Sequence, residues 1–126
     1  TCLELAGRLQ TQEGIVSVNY TGLKDNPYYK LSTAQFGKYP GAMLTFDLSS
    51  REACFAFMNR LQLICRATNL FDNKTLAIHP ASTIYGSFTE MQRQEMDISQ
   101  QTIRLSVGLE PVDDLYNDIK QALAIR

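Results

Sequence analysis

"TIRLSVGLEP", Thr102 to Pro111, decides how this 126-residue chain is read. Ile103, Leu105 and Val107 alternate with Thr102, Arg104 and Ser106, the period of two that marks a strand with one face in a core. Pro111 then opens a helix expected to run to about Ala124. Asp113 and Asp114 in its first turn and Lys120 further on suit the helix dipole, and Val112, Leu115, Ile119, Ala122 and Leu123 form its apolar stripe. Arg104 is the anomaly: of the twelve basic residues it alone lies inside an otherwise apolar strand. A guanidinium is costly to bury unless an anion meets it. The pattern leaves two readings open: Arg104 emerges at a sheet edge, or it waits for a carboxylate.

Working outward, β-branched and aromatic runs predict three more strands, at 15–20, 42–48 and 75–79, the last ended by Pro80. Residues 28–36 read as a short helix. Ser49 with Glu52 reads as a capping box for a helix through Arg66, on which Cys54, Phe57, Met58, Leu61, Ile64 and Cys65 make one core-facing stripe. Residues 68–74 read as a loop, and Thr89 with Gln92 as a second capping box. Cys2, Leu5, Ala6 and Leu9 recur at helical spacing with no capping pattern ahead of them, so residues 1–14 are expected to be the end of a longer helix, cut, and 15–126 a domain of a larger protein. Alternating strands and helices suggest a parallel sheet with crossovers, while four strands with helices of similar total length fit a two-layer α/β sandwich equally well. Pattern alone does not set strand direction.

Composition narrows the function classes. A formal charge of −1 offers no footprint for nucleic acid or an anionic membrane, and no apolar run is long enough to span a bilayer. Three cysteines, Cys2, Cys54 and Cys65, with one histidine, His79, show no metal-ligand spacing and read as reduced thiols packed in a cytoplasmic protein. Gly37 and Gly41 lack the spacing of a phosphate loop. His79, just before Pro80, reads as a fixed loop histidine bonded to backbone, and Asp113 with Asp114 as a dipole pair. Only Arg104 stands out as chemistry.

"LAIHPASTIYGSF", "DISQQTIRLSVGLEPVDDL" and "VNYTGLKDNPYYKL", taken with their spacing, resemble the C-terminal domain of the pyridoxal-phosphate enzymes of cysteine and methionine metabolism. That family includes cystathionine synthases and lyases, methionine γ-lyase and O-acetylhomoserine sulfhydrylase. The resemblance implies a small α/β domain, a two-layer sandwich with a mostly antiparallel sheet and helices on one face. It also implies a separate N-terminal domain that binds pyridoxal 5'-phosphate and supplies its lysine, and a cytoplasmic, homotetrameric parent acting on an amino acid. No catalytic residue is then expected in this segment. In the family the motif arginine forks onto the substrate α-carboxylate, and Arg104 occupies its place. Asn69 stands where lyases of the family usually have serine, which resembles the sulfhydrylase branch; Thr68 would line the same pocket. The expected reaction is γ-replacement on O-acetylhomoserine by sulfide or methanethiol, with γ-elimination, cystathionine synthesis and a stand-alone amino-acid-binding module as alternatives. Phe71 in place of glycine, and Ile84 and Tyr85 in place of threonine and histidine, depart from the family pattern.

Overall fold

In a computed structural model, which describes residues 1–124, the strand that carries Arg104 lies in the middle of the sheet. The strands are β1 (Ser17–Asn19), β2 (Met43–Asp47), β3 (Cys65–Arg66), β4 (Leu76–Ile78) and β5 (Thr102–Ser106), in the order β1-β2-β5-β4-β3. The first four of that order pair antiparallel, and only the short edge strand β3 pairs parallel, to β4. The sheet is therefore mostly antiparallel, with five strands rather than the four expected. The parallel crossover pattern suggested by alternation does not form. The sheet-edge reading of Arg104 fails too, because β5 is bonded on both sides.

Strand alternation splits the sheet into two unlike faces. Val18, Leu44, Phe46, Ile103, Leu105 and Ala77 align across four strands and pack on the helices α1 (Cys2–Leu9), α3 (Arg51–Arg60) and α5 (Val112–Leu123). The helix contributions follow from spacing: Cys2, Leu5, Ala6 and Leu9 of α1 are all buried, as are Leu115, Ile119 and Ala122 of α5. Phe46 and Phe57 meet edge to face across this layer, with ring centroids 5.5 Å apart. On the other face, Asn19, Thr45, Arg104 and Ile78 form one transverse row, and Ser17, Asp47 and Thr102 the next. The 3₁₀ turn Pro80–Ser82, the segment after it and the helix α4 (Glu90–Glu95), which carries the expected Thr89–Gln92 capping box, border this polar face. A short helix α2 (Tyr29–Phe36) stands apart and buries only Ser32.

Two local expectations are corrected. Ser50, not Ser49, caps α3, accepting from the Ala53 N–H at 3.1 Å. The helix also stops at Arg60 instead of Arg66, with Leu61 extended (φ −60°, ψ 135°). The cause is Asp118 of α5: its carboxylate accepts from three successive N–H groups, those of Gln62, Leu63 and Ile64, at 2.8–2.9 Å. Those amides cannot also serve a helix, so the chain runs on into β3. Cys65 is consequently an exposed strand residue rather than a partner of buried Cys54 on one helix face.

Candidate carboxylate site

Above the polar face lies a cleft of about 410 Å3, within the range of small-molecule sites. Its floor is sheet: Ser17, Asn19, Thr45, Asp47, Thr102 and Arg104; its walls are Pro80, Ile84 and Tyr85 on one side and Asp97, Ile98 and Ser99 on the other. His79 ties the walls together. Its Nε2 donates to the Gln100 carbonyl at 2.7 Å, because a carbonyl can only accept, and its Nδ1 is hydrogen-bonded to the Ser82 hydroxyl at 2.8 Å. This buried ring is thus the fixed, backbone-bonded histidine that its place before Pro80 suggests.

Arg104 dominates the electrostatics. Its Nη2 donates to the backbone carbonyls of Thr68 at 3.4 Å and Asn69 at 3.2 Å, while its Nε is buried without a hydrogen-bond partner among the described residues. Asp47 and Asp97 line the same cleft, yet neither comes within ion-pair distance of it. Asp47 is held by the hydroxyls of Ser17 and Thr102 instead. Burial lowers the pKa of the guanidinium, and Tyr85 acts weakly in the opposite direction. An Arg does not respond to such pressure by losing its proton at ordinary pH. It stays charged, with two carbonyls as its only hydrogen-bond partners among the described residues.

The structure brings Arg104, Thr68 and Asn69 together, though through main-chain oxygens: the Thr68 and Asn69 side chains are exposed and absent from the cleft lining. Their loop is fastened from below. Phe71, at φ +54°, donates its N–H to the Ser106 hydroxyl at 2.8 Å, and the Leu109 N–H donates to the Asn73 carbonyl at 2.9 Å. The sequence reading missed Asn19, Thr45, Asp47 and Asp97 as cleft residues; the first three follow from register with Arg104, a non-local quantity. No group of three or more His, Cys, Asp and Glu that could hold a metal occurs among the described residues, and none of their helices is long and apolar enough to cross a membrane.

A family model described as Cys/Met metabolism PLP-dependent enzyme matches residues 1–124. The chain belongs to this family. Among relatives of the Cys/Met family, O-acetyl-L-homoserine sulfhydrylase 1 of Thermus thermophilus is 42% identical over 123 residues, covering 97% of this chain and 29% of that protein. L-methionine gamma-lyase of Pseudomonas putida is 43% identical over 120 residues, covering 94% and 30%. The solved O-acetylhomoserine sulfhydrylase of Wolinella succinogenes superposes with a TM-score of 0.84 at 41% identity, over 98% of this chain and 32% of the other. A Campylobacter jejuni protein solved with N'-pyridoxyl-lysine-5'-monophosphate reaches a TM-score of 0.91 at 36% identity, over 97% and 29%. This chain spans about 30% of the length of the curated relatives it matches. The family uses pyridoxal phosphate. The cleft in this chain does not fit that group by itself, because none of Lys24, Lys30, Lys38, Lys74 and Lys120 lines it. Its chemistry fits a carboxylate.

Proposed function

We propose that residues 15–126 form the C-terminal, substrate-carboxylate-binding domain of a pyridoxal-phosphate-dependent O-acetylhomoserine sulfhydrylase, with α1, within residues 1–14, as the end of an interdomain helix. In this reading an N-terminal domain outside the chain holds the cofactor and its lysine, and the parent is a cytoplasmic homotetramer. The net reaction is γ-replacement: a sulfide or methanethiol sulfur forms the bond to Cγ, the Cγ–O bond breaks, and acetate leaves.

One observation carries the reading: Arg104 is a half-buried guanidinium on the cleft floor, braced by two carbonyls and unmatched by any carboxylate among the described residues. Its planar fork fits a carboxylate through two parallel hydrogen bonds. Fixing that end of an amino-acid substrate turns its arrival into an oriented encounter, in which the reacting carbon has little freedom left to lose. Tyr85 and Ile98 line the same cleft, and water they displaced from around a bound carboxylate would strengthen its pairing with Arg104.

Methionine γ-elimination is the second reading, favoured by the 43% identity to the Pseudomonas putida lyase. Assaying the full-length protein with O-acetylhomoserine plus sulfide against methionine alone separates the two. Homocysteine formation from the first mixture supports the sulfhydrylase; turnover of methionine alone with none of the first mixture overturns it.

A further inference from the structure

We infer that Ser106 is a positioning residue for Arg104, acting through the loop on which the guanidinium leans. The inference rests on the reading of Arg104 as the carboxylate clamp. Ser106 follows Arg104 by two residues on the same face of β5 and is fully buried, paired in register with Met43 on one side and Leu76 on the other. A hydroxyl among such neighbours is unfavourable unless it is bonded. The bond it makes is to the Phe71 N–H at 2.8 Å.

That amide belongs to a residue in the left-handed region, at φ +54°, where a non-glycine backbone is held against its preference. Two residues earlier the same loop presents the Asn69 carbonyl to Nη2 of Arg104, and three residues earlier the Thr68 carbonyl. One strand face thus carries both the guanidinium and the hydroxyl that pins the loop bracing it. With the hydroxyl gone, the Phe71 N–H loses its acceptor, the turn relaxes from its left-handed conformation, and the two carbonyls no longer hold Nη2 at one angle.

The test uses full-length enzyme variants Ser106→Ala, Arg104→Ala and the double variant, with Ser106→Thr as rescue, assayed for kcat and for KM toward O-acetyl-L-homoserine, alongside thermal melts and amide exchange at Phe71. Ser106→Ala is expected to raise KM about 3–10-fold, the size of one neutral hydrogen bond, with kcat within twofold. Exchange at Phe71 should speed up, and Ser106→Thr should restore both. In the Arg104→Ala background, removal of the hydroxyl should leave KM unchanged. A wild-type KM in Ser106→Ala, or an equal rise with and without Arg104, overturns the inference while leaving the clamp in place. A wild-type KM in Arg104→Ala overturns the clamp itself and the inference with it. Should Ser106→Ala fail to fold, Ser106→Cys leaves no cavity and offers a larger, weaker acceptor: a raised KM supports the positioning role and an unchanged one overturns it.

Discussion

The carboxylate of Glu110 takes both the backbone N–H and the hydroxyl of Thr75, each at 2.7 Å. The Thr75 oxygen in turn accepts from the Gly108 N–H at 2.8 Å, so the end of β5 and the start of β4 are joined by a closed set of bonds. Gly108 is needed there: a Cβ would stand 2.4 Å from the Asn73 carbonyl oxygen. Burial raises the Glu110 pKa, but the two bonds from Thr75 together with its own backbone amide outweigh it, and the net position is below the ordinary 4.5. A carboxyl depressed by folding contributes its stability in full above the unfolded value and loses it as pH falls through the folded one. Melts taken on either side of pH 4.5 should therefore show a loss on the acid side that is smaller in Glu110→Gln. At neutral pH that variant should be less stable by about 1–3 kcal/mol, since an amide turns a donor toward a donor.

Asp118→Ala should be the more damaging of the two acid-site changes. It strips the acceptor from the Gln62, Leu63 and Ile64 amides at once, and the Ile64 N–H is buried. Leaving such groups unmet costs roughly 3 kcal/mol or more in sum. Chemical denaturation would show it as a lower midpoint, and a midpoint within error of wild type would mean that water replaces the carboxylate.

Arg104→Ala in the full-length protein should lower kcat/KM by roughly 10²–10⁴, the equivalent of about 3–5 kcal/mol for a substrate carboxylate left unpaired in a partly dry cleft. Arg104→Lys should recover only part of this, since an ammonium keeps the charge and loses the fork. Melting temperatures should barely move, because the side chain makes no ion pair among the described residues. A large fall in melting temperature with kcat/KM retained would make Arg104 structural.

Asn69→Ala should leave the Arg104 brace intact, because the brace is a main-chain carbonyl. The Asn69 side chain lies outside the cleft lining, so a loss in kcat/KM of about 0.5–1.5 kcal/mol, or several-fold, would show that the amide reaches substrate in the full-length protein. Thr68→Ala, whose contribution is likewise a carbonyl, should fall below that. Steady-state kinetics on both variants check the order.

Thiol titration with an aromatic disulfide at pH 8 should find one fast cysteine per chain. Cys65 is exposed, whereas burial pushes the thiols of Cys2 and Cys54 up to about 11 and removes them from reagent. Loss of the fast phase in Cys65→Ser would assign it.

Much of this architecture was legible because it depends on short-range periodicity. The alternation Ile103, Arg104, Leu105 fixed which way the guanidinium faces, and the spacing of Cys2, Leu5, Ala6 and Leu9 named the buried side of α1. What escaped was set by residues far apart in sequence. Nothing near Leu61 announces a helix end, neither glycine nor proline; the acceptor that ends α3 is more than fifty residues away at Asp118. In the same way, whether β5 was central or at an edge depended on β2 and β4 both choosing it as a partner. The site was visible as a residue type, Arg104, but its bracing was not, because Thr68 and Asn69 contribute atoms that every residue has.

The strand order has a consequence for how the molecule comes into being. Of the five described strands, β5 leaves the ribosome after the others and is the one that fills the gap between β2 and β4. Until residues 102–106 emerge, the nascent chain can build only two separate ribbons, β1 with β2 and β3 with β4, each with an inner border of unsatisfied amides and carbonyls open to other chains. Translation that halts shortly before Thr102 would thus release a sticky half-product, and the same five residues that close the sheet deliver the guanidinium. Closure of the sheet and delivery of Arg104 to its polar face thus come in one late event.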